Sequence, residues 1–142
     1  MITSFFSRQR RVDDLLRWLI TGGVFYAYNS TLDVAFLFDG TFTSSEWSII
    51  RQFMEDFSDR FYIGQTMTRF AVVQYSQSQS LTFGFRSYST NAALRSALST
   101  LQQQSTGNVR NLGDALNYVY STVFTQARVW AAKVRRLYTV LR

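Results

Sequence analysis

The chain contains no cysteine and no histidine, and these two absences exclude several kinds of functional site. Without cysteine there can be no disulfide bond and no thiolate metal centre, although this alone does not decide the compartment. Without histidine there is no Ser-His-Asp triad, and both the commonest general base and the usual zinc ligand are missing. No segment reaches the roughly 18 uncharged apolar residues that a membrane-spanning helix needs. We therefore do not expect the chain to span a membrane by itself.

The composition is that of one folded, basic domain. A length of 142 residues leaves room for a single domain, and the hydrophobic share of 46% argues against disorder. The net charge of +6 arises from 15 Lys and Arg against 9 Asp and Glu. The arginines are scattered through predicted helices and strands and form no stripe. A solvated surface is therefore favoured over a nucleic-acid interface.

An apolar run followed by oxygen-bearing side chains is the most informative stretch of the sequence. Residues 34–38 are all apolar, which is typical of a strand that is covered on both faces in a parallel sheet. The run ends at Asp39, and the hydroxyl residues Thr41 and Thr43 follow it. Open α/β sheets bind ligands at the carboxyl ends of their strands. Asp39, Thr41 and Thr43 are therefore candidate ligand-binding residues.

Periodicity along the rest of the chain predicts alternating strands and helices. The pair Thr43 and Glu46 forms a capping box at the start of a long amphipathic helix. Residues 69–75 and 81–85 predict two strands that a hairpin turn joins. Further helices begin near residue 90 and at Asn111, and a last strand covers 134–141. This order predicts an α/β fold with an open, mostly parallel sheet, one antiparallel edge strand and helices on both faces.

Residues 1–31 are predicted to be an extension that precedes the domain at 32–142. A basic start and an apolar stretch resemble a secretory signal, but Asp13, Asp14 and Arg17 interrupt the apolar stretch. A short amphipathic helix that ends at Gly22 and Gly23 is the preferred interpretation, with a degenerate signal as the alternative.

Three segments together resemble a known family. The string DVAFLFDGTFTSS resembles the first strand of a von Willebrand factor type A domain, which ends in D-x-S-x-S. TRFAVVQYSQS is similar to the second strand of that family, and RNLGDALNYVYSTVFTQAR resembles its T-N-T-G-x-A-L helix. The segments occur in the family's order and cover about residues 32–134. The resemblance is nearest to the domains of collagen-like matrix proteins and adhesion receptors, and it implies a Rossmann-like twisted sheet with strand order 3-2-1-4.

The resemblance implies a protein-binding module of the metal-ion-dependent adhesion type, outside the cell, and no enzyme. In the family the two serines of D-x-S-x-S coordinate Mg²⁺ or Mn²⁺, the aspartate acts through water, and a carboxylate of the partner completes the shell. Matched position by position, Asp39 stands for the aspartate, and Thr41 and Thr43 stand for the serines. Hydroxyl and carboxylate oxygens suit these hard cations.

Two departures predict that this metal site is incomplete. The family's threonine before the helix glycine is replaced by Arg110, and Val140 falls where the family's fourth strand supplies an aspartate. We hypothesise that Arg110 reaches Asp39 and takes the place of the cation, so that metal-assisted binding is weakened or lost. Two alternatives remain: Asp39, Thr41 and Thr43 hold a functional Mg²⁺ or Mn²⁺ ion, or they form a remnant loop, in which the three oxygen groups bond to the backbone and cap the following helix.

The match also lacks the family's last two strands, and this predicts an exposed edge. In the full fold the fourth strand lies in the middle of the sheet, so a chain without the later strands leaves its far edge unpaired. The sequence therefore predicts self-association through that edge, or marginal stability.

Other function classes remain open alternatives. A basic domain that binds nucleic acid or an anionic surface would use arginines interleaved with aromatic residues, but no recognition motif is present. A non-functional fragment of a longer protein is a further alternative. An enzyme would need Lys133 or a carboxylate as its base, and the acidic residues Glu55, Asp56 and Asp59 are predicted to lie on the solvent-exposed face of a helix.

Overall fold

The computed structural model describes residues 2–6, 32–104, 108–126 and 135–141. Five strands and three α-helices make up this part of the chain. In chain order they are β1 (Ile2–Phe6), β2 (Leu32–Asp39), α1 (Ser44–Ser58), β3 (Arg69–Tyr75), β4 (Gln79–Phe83), α2 (Asn91–Ser99), α3 (Leu112–Tyr118) and β5 (Arg135–Leu141). A π-helical turn, Val119–Val123, and a 3-10 turn, Phe124–Gln126, extend α3. No helix in the described ranges is long and apolar enough to cross a bilayer.

The five strands form one sheet in the order β1-β5-β2-β3-β4. β2 lies between β3 and β5 and is parallel to both, while β4 pairs antiparallel with β3. The four predicted strands correspond to β2, β3, β4 and β5, and their arrangement agrees with the expected order 3-2-1-4 and with an antiparallel edge at β4. The sheet also has a second antiparallel edge at β1, so two of its four strand pairs are parallel, and not most of them as predicted. The central strand therefore ends where the candidate residues begin.

The far edge of β5 is paired, which corrects the prediction of an exposed fourth-strand edge. β1 runs antiparallel to β5, and Ile2 stands opposite Leu141 while Phe6 stands opposite Leu137. The N-terminal residues thus supply the neighbour that the sequence interpretation assigned to missing strands. The stated reason for self-association at that edge no longer holds. The predicted helix in residues 1–31 lies outside the described residues, and the domain boundary at residue 32 stays a prediction.

Alternation along β2 divides the core into two clusters, one on each face of the sheet. All of β2 is buried, because neighbouring strands cover its edges and helices cover its faces. Val34, Phe36 and Phe38 face a cluster that includes side chains of α1 and α2. Ala35 and Leu37 face the opposite cluster, which includes α3 and the turns that follow it. Asp39 has the same parity as Ala35 and Leu37, and the strand therefore directs it to the α3 face.

The helix caps agree with the sequence prediction, but one acidic residue that was predicted to be exposed is buried. Thr43 caps α1 with a capping box, and Thr90 caps α2 through a hydrogen bond from the backbone N–H of Ala93. Asp56 and Asp59 are exposed as predicted, whereas Glu55 is buried. The prediction for Glu55 was wrong because Arg95 of α2 lies against this part of α1 and pairs with its carboxylate.

A buried ion pair joins β2 and β3 at the end of the sheet away from the candidate residues. Arg69 donates from Nε to Asp33 Oδ1 and from Nη2 to Asp33 Oδ2, each at 2.8 Å. The two side chains are 4% and 0% exposed, and the Arg69 guanidinium lies 5.7 Å from the centroid of the Phe85 ring. A bidentate pair of this kind fixes the register of the two strands that carry the candidate site.

Replacing Asp33 with asparagine should destabilise the fold by roughly 3–5 kcal/mol, because the buried charge of Arg69 loses its partner. Urea unfolding at neutral pH measures this change. Asp59→Asn is the matched control: Asp59 is 41% exposed in its ion pair with Arg95, so its loss should cost about 1 kcal/mol or less. Equal effects of the two substitutions would contradict the structural role of the Asp33–Arg69 pair.

Candidate functional site

The loop after β2 is held close to two other parts of the chain. The backbone N–H of Gly40 donates to the carbonyl of Tyr75, the last residue of β3, at 2.7 Å. A Cβ atom at Gly40 would come within 2.7 Å of the backbone oxygen of Gln104. Because that neighbour is backbone, only glycine permits this approach without a local shift. The loop is therefore fixed between the end of β3 and the segment that follows α2.

Two glutamine side chains fasten the loop and the segment beside it, and sequence reasoning missed both. Gln103 Nε2 donates to the carbonyls of Gly40 at 2.8 Å and Phe42 at 2.6 Å. Gln74, buried in β3, donates to the carbonyl of Gln102 and accepts from the N–H of Gln104. Local sequence patterns do not reveal these bonds, because the choice of backbone partner depends on contacts across the sheet. These bonds hold the backbone on which the candidate residues stand.

Asp39 lies at the end of β2 with its carboxylate nearly buried. Its side chain is 2% exposed. Oδ1 accepts hydrogen bonds from the backbone N–H of Thr41 at 2.8 Å and from the hydroxyl of Thr41 at 2.7 Å. One carboxylate oxygen is thus used to shape the loop that follows the strand.

Arg110 binds the other oxygen of this carboxylate. Arg110 Nε lies 2.9 Å from Asp39 Oδ2 and also donates to Thr41 Oγ1 at 3.0 Å. Two contacts place Arg110 here: the backbone N–H of Asn111 donates to the carbonyl of Ser76, and the side chain of Asn111 caps α3. Arg110 therefore enters the site directly before the first turn of α3, and its side chain remains 65% exposed.

Thr43 belongs to the cap of α1 and has no described bond to Asp39. Its hydroxyl donates to Glu46 Oε2 at 2.8 Å and accepts from the Glu46 N–H at 3.4 Å. The Thr43 N–H also donates to Glu46 Oε2, at 2.8 Å. The hydrogen bond from this N–H lowers the pKa of Glu46 most, followed by the bond from the Thr43 hydroxyl, and the positive charge of Arg110 lowers it further. The capping interpretation of Thr43 is therefore confirmed.

The observed arrangement does not fit a divalent cation. Both oxygens of Asp39 and the hydroxyl of Thr41 are engaged with protein donors, and one of these donors is a guanidinium. Val140 pairs with Leu37 in the sheet, so this position of β5 adds no carboxylate. A cation on these oxygens would have to displace Arg110 first. The structure thus joins Asp39, Thr41 and Arg110, and assigns Thr43 to the helix cap.

Glu46→Gln tests the electrostatic part of this cap. The folded state lowers the pKa of Glu46 below its ordinary value of 4.5, so ionised Glu46 stabilises the fold above that pH and loses this effect as pH falls through the lowered pKa. The variant should therefore melt below the wild type at pH 7, and the difference should shrink as the pH falls below 4.5 and through the lowered pKa. Thermal unfolding at a series of pH values from neutral to acidic measures it.

Thr43→Val is the companion variant for this cap. It removes the hydroxyl that bonds to Glu46 and should cost about 1 kcal/mol at neutral pH. A melting difference between wild type and Glu46→Gln that stays constant with pH would contradict the lowered pKa.

Comparison with known proteins places these features in a family. The family model of the von Willebrand factor type A domain matches residues 33–140. Vitrin from Mus musculus is 30% identical over 112 residues, which cover 78% of this chain and 17% of vitrin. The collagen alpha-5(VI) chain from Homo sapiens is 32% identical over 93 residues, which cover 64% of this chain and 4% of the collagen chain. This chain therefore spans only a small part of the length of either relative.

A solved structure supports the same assignment. Proximal thread matrix protein 1 from the mussel byssus, with a zinc-occupied MIDAS motif, matches with a TM-score of 0.62 and 29% identity. The match covers 71% of this chain and 27% of that one. With the family model, two relatives and a structural neighbour in agreement, the chain belongs to the von Willebrand factor type A domain family.

Proposed function

We propose that this chain is a protein-binding module of the extracellular matrix, and that it binds its ligand at the rim formed by Asp39, Thr41 and Arg110. The relatives support the first part, because they include a collagen chain and a thread matrix protein. The position of the rim at the carboxyl ends of β2 and β3 supports the second, because open α/β sheets bind ligands there. Catalysis is not part of the proposal, since the contacts of this rim present no base and nucleophile pair.

The observation that carries the proposal is the ion pair between Arg110 and Asp39. In the neighbouring thread protein the MIDAS motif holds zinc. Here a guanidinium nitrogen lies 2.9 Å from the matching carboxylate, where the charge of a metal would be needed. We infer that Arg110 is a built-in cation and that metal-assisted binding has been weakened or lost.

Electrostatic magnitudes support this inference. Two unit positive charges about 4 Å apart repel by roughly 4 kcal/mol at an effective dielectric near 20, and a divalent ion doubles that value. Solvent reduces the repulsion here because Arg110 is 65% exposed and can turn away. A metal would then still have to replace a short, charge-assisted bond to a carboxylate that is 2% exposed.

Arg110→Thr should increase the affinity for Mg²⁺ and Mn²⁺ by about tenfold or more, a difference of at least about 1.4 kcal/mol. The substitution removes the competing charge and restores the hydroxyl that the family has at this position. Isothermal titration calorimetry of each ion against the wild type and the variant measures the change.

Two controls test whether the gain in metal affinity is specific to this site. Adding Asp39→Asn to Arg110→Thr should abolish the gain, because the carboxylate is lost. Arg86→Thr, at an exposed arginine in the turn after β4, should leave the metal affinity unchanged. Micromolar metal binding by the wild type, or no gain in Arg110→Thr, would refute the built-in cation.

A further inference from the structure

We propose that Arg110 is the contact residue for the partner, and that it binds one acidic side chain of a protein ligand directly and without metal. This inference rests on the proposed function and adds the chemistry of the ligand. It identifies a guanidinium–carboxylate contact at the rim, in which Nη1 and Nη2 of Arg110 face an aspartate or glutamate of the partner.

The guanidinium group of Arg110 has bonding capacity that the protein does not use. In the part of the chain that the structure describes, Nε lies 2.9 Å from Asp39 Oδ2 and donates to Thr41 Oγ1. Among the described residues, no group forms a hydrogen bond with Nη1 or Nη2. These two nitrogens carry four N–H donors in a plane, which is the geometry that binds a carboxylate in a bidentate manner.

The internal contacts also orient Arg110 before a ligand arrives. A free arginine side chain loses rotamer entropy of about 2 kcal/mol when it is immobilised. Here Nε is already bonded to two groups, and the nearly buried Asp39 cannot easily leave its place. A partner carboxylate would therefore meet a guanidinium that is fixed at Nε, on a side chain that is 65% exposed.

The charges around Arg110 favour a single carboxylate over a polyanion. Glu46 is close enough for Arg110 to lower its pKa, and Asp114 lies in the first turn of α3 just after Arg110. Heparin or nucleic acid would bring further negative groups against Glu46 and Asp114, with only one guanidinium to offset them. An acidic side chain that projects from a protein brings one charge only. We therefore favour a protein ligand at this rim.

The residues next to Arg110 offer the kind of surface that a protein ligand covers. Val109 is 56% exposed, and Asn108 is exposed beside it. Ser44 and Ser45 expose hydroxyl groups at the start of α1. A charged anchor surrounded by small polar and apolar contacts is a common arrangement in protein interfaces, where arginine is often a residue of large energetic effect.

A phage-displayed random peptide library tests the inference, with the whole chain immobilised in buffer that contains a chelator. The wild type should select peptides with an aspartate or glutamate at one fixed position. For a selected peptide, Arg110→Gln should weaken binding at least tenfold, and replacing the peptide carboxylate with its amide should do the same. Making both changes together should weaken peptide binding no more than either change alone, because the two groups form one contact.

Two further variants and a test with Mg²⁺ complete the design. Arg110→Lys should retain part of the affinity, because lysine keeps the charge but not the fork. Arg86→Gln should bind like the wild type, since Arg86 follows β4 on the side away from the rim. Replacing the chelator with Mg²⁺ should leave the affinity of the wild type unchanged.

The possible outcomes distinguish a failure of this inference from a failure of the proposed function. Selected peptides without an acidic residue, or equal binding by Arg110→Gln, would overturn the inference and leave a protein-binding module. A selected peptide that loses binding in chelator would do the same, because the contact would then need metal. Retention on heparin that depends on Arg110, without peptide selection, would point to a polyanion and overturn both.

Discussion

A nearly buried carboxylate at the end of a buried strand is the constraint on which the candidate site depends. β2 is covered on both faces and both edges, so its last residue, Asp39, lies almost out of contact with water. An isolated charge in that position is costly unless hydrogen bonds and an opposite charge compensate it. Thr41 supplies the hydrogen bonds and Arg110 supplies the charge. Arg110, a residue of the same chain, thus supplies the positive charge that a bound cation would otherwise supply to this carboxylate.

The surrounding loops make this arrangement rigid on both sides of the ion pair. Gly40 approaches the backbone of Gln104, and Gln103 binds two carbonyls of the same loop. On the other side, Asn111 ties the start of α3 to the end of β3 and keeps Arg110 in reach. Asp39 and Arg110 are therefore positioned by separate sets of backbone contacts. This rigidity supports the proposed function, because a fixed guanidinium would recognise a ligand with less loss of entropy.

Local patterns in the sequence predicted much of the fold, and the match to the family predicted the centre of the site, whereas other long-range contacts were missed. The apolar run at 34–38 gave the central strand, and the spacing of Thr43 and Glu46 gave the cap of α1, because both signals are local. The contact of Arg110 with Asp39 was hypothesised from the match to the family and is present in the structure. The pairing of β1 with β5 was missed, because five residues at one end of the chain carry no signal for a partner at the other. The burial of Glu55 depends in the same way on Arg95 of another helix.

The central claim is that Arg110, and not a metal ion, neutralises Asp39. The most direct measurement is a crystal structure of the wild type grown with millimolar Mn²⁺, with data collected to detect the anomalous signal of manganese. The account predicts Arg110 Nε within hydrogen-bonding distance of Asp39 Oδ2 and no anomalous peak at the rim. A manganese peak coordinated by the hydroxyls of Thr41 and Thr43, with Arg110 turned into solvent, would contradict it.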